Sequence, residues 1–258
     1  MAVVTLTSDF GAGSGYPAQM KGVLLRAAPG ATIVDVSHEV PPYDVLAGAL
    51  LLEAAAPWFP DDAVHCAVVD PGVGTQRLAI VVVDVYGRRF VGPDNGLFTP
   101  FLGAGSVAYQ VVHAIGAPAR CSATFHGRDV FAPAAAWVAA GGDPARLGPA
   151  VAAPVRLDWP TARREQDALH GECLTADPFG NVLTSIRDTD LDGALETVSV
   201  AGRPARFVRT FGDGRPGELL ALVGSSGRIE LAIREGNAAR EHRLTRGVPV
   251  VLTFGVRP

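Results

Sequence analysis

The chain has 258 residues, of which 48% are hydrophobic and 19% charged, and its net charge is −4 at pH 7. This composition predicts a folded globular protein and excludes a long disordered chain. The slight acidic excess gives no basic surface for nucleic acid or for an anionic membrane, so we expect neither as a partner.

The cysteines and histidines give no sign of a metal or a disulfide framework. Cys66, Cys121 and Cys173 are far apart, and the six histidines show no ligand spacing. The N-terminus has no basic segment typical of a signal peptide, and no apolar run reaches the roughly 18 residues of a membrane span. These features predict a cytoplasmic protein with no metal site.

The first half alternates strand and helix patterns. Apolar runs predict strands at residues 3–7, 32–36, 64–69, 78–85, 89–91 and 107–112, and helices at residues 17–27, 44–56 and 130–140. Strands alternating with helices of this length are typical of an α/β domain with a largely parallel or mixed sheet.

The second half has a different pattern. Residues 149–160 are rich in proline and alanine, as in a linker. Short strands follow at residues 171–176, 197–200, 205–208, 219–223, 229–233 and 248–254, with no convincing helix. We predict a smaller all-β domain, barrel-like or a sandwich. The expected limits are residues 1–150 for the α/β domain, 151–165 for the linker and 166–258 for the β domain.

A glycine-rich loop follows the first strand. Gly11, Gly13 and Gly15 precede a predicted helix, and Asp35 ends the second strand about twenty residues later. This arrangement is partly typical of dinucleotide-binding folds, in which glycines admit a diphosphate and an acid binds the ribose. The spacing does not match, however, and Asp9 places a carboxylate at the mouth of the loop. A nucleotide-dependent oxidoreductase is therefore an alternative that the sequence disfavours.

Polar strings lie just beyond the predicted strand ends, where open α/β sheets place their sites. Read singly, each has an ordinary structural explanation: a tight turn at Asp70, a core tyrosine at Tyr43, or a hydrogen-bonding loop histidine at His126. The strings are TSDFG from Thr7, SHEVPPYD from Ser37, VDPGVGTQR from Val69, GPDNG from Gly92, FHGRD from Phe125, DPFGN from Asp177 and GSSGRIE from Gly224.

Together, in this order, the strings resemble the S-adenosyl-L-methionine (SAM) hydroxide adenosyltransferases, the adenosine-forming SAM hydrolases related to fluorinase and chlorinase. The resemblance runs from Thr7 to about Ala239. It implies hydrolysis of SAM to adenosine and L-methionine by water attacking the ribose 5′ carbon, with SAM as substrate and no cofactor. The matching catalytic residues are Asp70, Arg77 and His126.

That chemistry suits these residue types. The leaving group is a neutral thioether, which needs no general acid, whereas the water must be aligned behind the 5′ carbon and deprotonated. A carboxylate can hydrogen-bond the water, a guanidinium can fix the carboxylate, and an imidazole can orient the water or take its proton. The sequence leaves open which group finally receives that proton.

The resemblance also implies substrate-binding residues and an assembly. Asp9 would bind the ribose hydroxyls, Tyr43 would pack over the sugar and sulfonium, and Phe179 or Phe211 would stack on adenine. Family members are trimers with sites at subunit interfaces, so a homotrimer is expected. The complete set of expected binding residues is Asp9, Ser14, Gly15, Tyr16, Tyr43, Phe125, Asp177, Phe179, Asn181, Phe211, Ser225, Glu230 and Ala238.

Two further alternatives remain. A SAM-dependent halogenase of the same fold would use chloride or fluoride, but the Asp70 carboxylate would repel a halide and Gly127 lacks the hydroxyl that the fluorinase uses on its halide. A non-catalytic module that binds SAM or adenosine is the other. It would have no need of Asp70, Arg77 and His126 together.

Overall fold

The computed structural model describes residues 2–113 and 115–254, and the chain divides into two compact units, Met1–Asp158 and Trp159–Pro258. The first unit contains one six-stranded sheet in the order β2-β1-β3-β5-β4-β6. Its strands are β1 (Val3–Ser8), β2 (Thr32–Ser37), β3 (Val64–Val68), β4 (Ala79–Val83), β5 (Arg89–Pro93) and β6 (Val107–Gln110).

The sheet is mixed. Strands β2, β1, β3 and β5 are mutually parallel, whereas β4 is antiparallel to both β5 and β6. The β4–β5 hairpin follows from a tight turn in which Gly87 has φ +86° and its N–H donates to Asp84 O. The carboxyl ends of the four parallel strands meet at one edge, which brings Asp9, His38, Asp70 and Asp94 to the same side.

Three helices cover the sheet: α1 (Tyr16–Ala27), α2 (Val45–Ala55) and α3 (Ala132–Ala139). Asp44 caps α2 by accepting a hydrogen bond from Ala47 N, and a π-helical turn, Gly127–Phe131, precedes α3. The core between the sheet and α1 and α3 includes Leu6, Met20 and Phe131, all almost fully buried.

The second unit is a closed barrel of seven strands. Its order is β14-β10-β11-β12-β13-β9-β8, and β14 pairs again with β8, while β7 is added at the outer edge of β8. Among the described strand pairs of this second unit, only β11–β12 is parallel. The elements are β7 (Arg163–Glu165), β8 (Ala168–Ala176), β9 (Val182–Arg187), β10 (Leu195–Val200), β11 (Arg203–Phe207), β12 (Leu219–Val223), β13 (Arg228–Ile233), α4 (Ala238–Glu241) and β14 (Pro249–Phe254).

Short 3₁₀ turns complete the secondary structure. They lie at Ala56–Trp58, Thr99–Phe101, Pro144–Arg146, Asp188–Asp190 and Phe211–Asp213. No helix among the described residues is long and apolar enough to cross a bilayer.

In outline the architecture agrees with the predicted fold class, a mixed sheet followed by a barrel. The sequence missed strands β7 and β9 and the four-residue helix α4. The predicted domain limits, at residues 150, 165 and 166, stay predictions. Residues 1 and 255–258, at the two ends of the predicted domains, lie outside the described residues. Within the predicted linker, Val155 N donates to Asp94 Oδ1 and Leu157 N to Thr99 Oγ1, so its first part is bound to the first unit.

Candidate active site

A tight turn after β3 places Asp70 against Arg77. Val73 N donates to Asp70 O and Thr75 N to Gly72 O, so the chain folds back within seven residues. Arg77 Nε then donates to both Asp70 oxygens, at 3.0 and 3.1 Å, and Nη2 donates to Oδ2 at 2.5 Å. Both side chains are largely buried, with 4% of Asp70 and 10% of Arg77 exposed. This is a bidentate, charge-assisted pair.

His126 completes the cluster from a distant part of the chain. It precedes the π-helical turn, and its Nδ1 lies 2.7 Å from Arg77 Nη2. Gly74 explains how the two segments fit, because it has φ +77° and a Cβ there would lie 2.7 Å from Ala123 O. The Arg77 guanidinium also packs over the Phe131 ring, 5.1 Å from its centroid. We call these three side chains the Asp70–Arg77–His126 cluster.

The hydrogen bonds define the protonation of His126. A guanidinium only donates, so His126 Nδ1 accepts from Arg77, and the proton of a neutral ring lies on Nε2. Burial lowers the pKa of His126 and the Arg77 cation lowers it further, against weaker opposing effects of Asp70 and Asp129. The imidazole is therefore neutral at pH 7.

A cavity of about 380 Å³ opens beside this cluster in the first unit. We call it the first-unit cavity. Arg77 lies behind Asp70 and does not line it, and neither do Ser14 and Gly15. Phe10, Val73 and Thr124 line it although sequence reasoning did not single them out; Phe10, in TSDFG, was the most visible of them. The predicted residues on its wall are Asp9, Tyr16, Tyr43, Asp70, Phe125 and His126.

Two loops at the cavity mouth are joined by Asp9. Tyr43 N donates to Asp9 Oδ2 at 2.9 Å, and Tyr43 has φ +67°, an uncommon conformation for an aromatic residue. The Tyr43 side chain is 73% exposed. Phe125 and Tyr16 meet edge to face with centroids 4.9 Å apart, which forms an aromatic wall.

The second unit carries the other predicted residues on a cavity of about 480 Å³. Burial raises the pKa of Glu230, and the Asp177 carboxylate raises it further. Phe179 is 77% exposed. Ala238 is fully buried at the start of α4 and does not line this cavity, whereas Arg209 and Thr210 line it and were missed. The predicted residues brought together there are Asp177, Phe179, Asn181, Phe211, Ser225 and Glu230.

The structure gives other partners to the acid that a dinucleotide site would use. Asp35, the candidate ribose-binding acid of a dinucleotide site, contacts Lys21 Nζ and His38 Nε2. Among residues 2–113 and 115–254, no group of three His, Cys, Asp or Glu side chains is placed to hold a metal ion.

Comparison with known proteins establishes the family. Residues 4–148 match the SAM hydroxide adenosyltransferase N-terminal domain, and residues 171–251 match its C-terminal domain. The (R)-S-adenosyl-L-methionine hydrolase of Salinispora arenicola is 44% identical over 98% of both chains. A fluorinase of Actinoplanes sp. is 28% identical over 97% of both chains. A solved structure, an uncharacterized conserved protein from Thermotoga maritima, has a TM-score of 0.88 at 32% identity and covers 98% of this chain and 100% of its own. This chain belongs to the SAM hydroxide adenosyltransferase family.

Proposed function

We propose that the chain hydrolyses SAM to adenosine and L-methionine by in-line attack of water on the ribose 5′ carbon. The observation that carries the proposal is the Asp70–Arg77–His126 cluster, which presents a carboxylate and a neutral imidazole to the first-unit cavity. The resemblance of the chain to SAM hydrolases along its whole length supports the same reaction.

The hydrogen bonds support a distinct role for each member of the cluster. Asp70 Oδ1 accepts one bond from Arg77 and retains a lone pair for the water. His126 donates from Nε2 to the water oxygen and orients it. The water proton passes to Asp70 and then to solvent while the C5′–S bond breaks, and methionine leaves as a neutral thioether. Because the sulfonium releases a neutral thioether, which is an excellent leaving group, the proposed reaction needs no cofactor.

Asp9, Tyr43 and Phe125 would hold the nucleoside. Asp9 Oδ2 accepts from Tyr43 N, which leaves Oδ1 for the ribose diol. The exposed Tyr43 ring can cover the sugar and the sulfonium, where cation–π attraction contributes about 0.5–2 kcal/mol. In the second unit, the two carboxylates Asp177 and Glu230 suit the positive charge of the substrate.

The same geometry disfavours a halogenase. The Asp70 carboxylate lines the first-unit cavity, and Gly127, which also lines it, offers no hydroxyl to a halide.

We also propose a homotrimer with SAM sites at subunit interfaces. The exposure of Tyr43 and Phe179 supports this proposal, because large exposed aromatic rings on predicted binding surfaces often become covered on assembly. Light scattering tests the proposal, and a monomer with full turnover would contradict it. The three free cysteines support a reducing, cytoplasmic location. We propose SAM as the partner, without nucleic acid or membrane.

One experiment tests the reaction. The purified protein is incubated with SAM in H₂¹⁸O, with and without excess chloride. The products are separated by chromatography, then identified and quantified by mass spectrometry. We expect equal amounts of adenosine and methionine, with ¹⁸O at the 5′ oxygen of adenosine. Chloride should change neither amount. 5′-Chloro-5′-deoxyadenosine would indicate a halogenase, and intact SAM a binding module.

A further inference from the structure

A hydrogen-bonded chain of four side chains lies beside the first-unit cavity without lining it, buried at Ser8 and His38 and partly exposed at Asp35 and Lys21. Ser8 Oγ is 2.8 Å from His38 Nδ1, His38 Nε2 is 3.1 Å from Asp35 Oδ1, and Lys21 Nζ is 2.5 Å from Asp35 Oδ2. Ser8 is 1% exposed and His38 is 7% exposed. We call this the Ser8–His38–Asp35–Lys21 chain.

The order of groups resembles a serine nucleophile with its base, but its position excludes that role. Ser8 is buried at the end of the central strand β1, so its hydroxyl cannot reach a substrate. Burial raises the pKa of Asp35, and hydrogen bonds from Lys21 and His38 outweigh that effect and lower it. Asp35 is thus an anionic acceptor for the N–H at His38 Nε2, and His38 Nδ1 is left to accept a hydrogen bond from the Ser8 hydroxyl.

Two loops that carry predicted substrate-binding residues are joined by two backbone bonds of Ser8 and His38, and by the Ser8 hydroxyl, which contacts both Phe10 N and the His38 ring. His38 O accepts from Gly11 N at 2.7 Å, Ser8 Oγ accepts from Phe10 N at 3.4 Å, and Val40 N donates to Ser8 O at 3.3 Å. The first loop carries Asp9, and the second carries Tyr43.

We propose that the Ser8–His38–Asp35–Lys21 chain positions Asp9 and Tyr43 for SAM, with Ser8 and His38 as positioning residues. The proposal rests on the proposed function, because the substrate is SAM. The cluster that activates water is anchored separately, by the turn after β3 and by the residues around Gly74. Loss of the chain therefore affects KM for SAM and leaves kcat nearly unchanged.

Ser8→Ala removes the contact with His38, and Asp35→Asn removes the charge that both His38 and Lys21 contact. Thr5→Val is the matched control, because Thr5 Oγ1 makes an equally buried contact of 2.9 Å with His65 Nδ1 from the same strand, away from the loops. For each variant we measure KM, kcat, melting temperature and amide hydrogen exchange in residues 9–13.

Ser8→Ala is expected to raise KM by about 5- to 10-fold, as for one buried hydrogen bond, with kcat within about twofold of the wild type. Asp35→Asn is expected to raise KM by about two- to threefold, and the double variant by less than the product, because the two residues act through one chain. Exchange of residues 9–13 rises in these variants and not in Thr5→Val.

Unchanged KM in Ser8→Ala, with a melting temperature lowered as in Thr5→Val, would overturn the proposal and leave a structural role only. A fall in kcat at constant KM would also overturn it. Wild-type protein that forms no adenosine would refute the proposed function itself. That outcome differs from a wild-type protein that turns over SAM while the KM of its Ser8→Ala variant is unchanged, which refutes only the positioning role.

Discussion

Arg77 contacts both other members of the Asp70–Arg77–His126 cluster, so Arg77→Lys tests the cluster most directly. The guanidinium makes three contacts with Asp70 and one with His126. A lysine ammonium is a compact charge on a flexible side chain. It cannot reproduce the planar guanidinium that donates to Asp70 and His126 at the same time. The change keeps the positive charge and removes the alignment.

The expected cost follows from those contacts. Losing one charge-assisted hydrogen bond that orients the water-binding groups costs about 1.5–3 kcal/mol. At about 1.4 kcal/mol per tenfold in rate, kcat falls roughly 10- to 150-fold. KM for SAM should change little, because Arg77 does not line the first-unit cavity. Adenosine formation followed by chromatography gives both constants.

Arg88→Lys is the control. Arg88 is 10% exposed and pairs with Asp84, which is 3% exposed, so its burial matches that of Arg77 and Asp70. Both variants should lose similar stability, and only Arg77→Lys should lose turnover. Equal kcat in the two variants would refute the assignment of the cluster to the reaction.

Three further predictions follow. Asp70→Asn and His126→Ala should each lower kcat by about 10²-fold or more while SAM still binds in calorimetry, because each removes a group that holds the water. His65 is buried and its pKa is lowered to about 4, by burial first and then by the Arg88 cation. In the unfolded chain His65 is therefore protonated below about pH 6.5, whereas in the folded chain it is protonated only below about pH 4. The free energy of unfolding in urea should fall by about 3 kcal/mol across that interval. Gly74→Ala should lower both the melting temperature and kcat, at a cost of roughly 1–3 kcal/mol, since φ is +77° and the Ala123 carbonyl blocks a Cβ.

Each of these has its own check. SAM hydrolysis at the wild-type rate in both Asp70→Asn and His126→Ala would remove them from the mechanism. His65→Asn does not titrate, so a pH slope equal to that of the wild type would contradict the histidine assignment. Gly87→Ala is the control for Gly74, because it has φ +86° with nothing within 4 Å of a Cβ. The Gly87→Ala variant should have a lower melting temperature and an unchanged kcat.

The sequence predicted most strands that carry a clear apolar run and missed β7 and β9, which do not. The limits of β1, β3 and β12 were predicted within one residue because apolar runs mark buried strands. Strand β9 was missed because Thr184 and Ser185 interrupt its pattern. Both are buried, and their hydroxyls are bonded, Thr184 Oγ1 to Ile229 O and Ser185 Oγ from Glu172 N. These partners lie on strands β8 and β13, so no local sequence pattern shows them.

Strand β7 and the barrel closure depend on pairings that no local pattern records. Arg163–Glu165 is exposed along its length and is a strand because it pairs with β8. The β14–β8 pairing joins strands some eighty residues apart. In the site, Asp70 and Arg77 are near in sequence, but the approach of His126 depends on the close packing of Gly74 on Ala123. Only the resemblance to a family predicted that His126 would join them.

The charges of the cluster explain why water fits this site better than a halide. Asp70 and Arg77 compensate each other and His126 is neutral, so no net positive charge faces the nucleophile. All three nitrogens of Arg77 already donate to protein acceptors, including Nη1 to Leu78 O at 3.4 Å. An isolated carboxylate would repel an anion 4 Å away by about 1–4 kcal/mol, and Arg77 behind Asp70 reduces that repulsion without reversing it on the cavity side. Water can donate to Asp70 and accept from His126 at once, so the groups that would bind water are the same groups that would reject chloride.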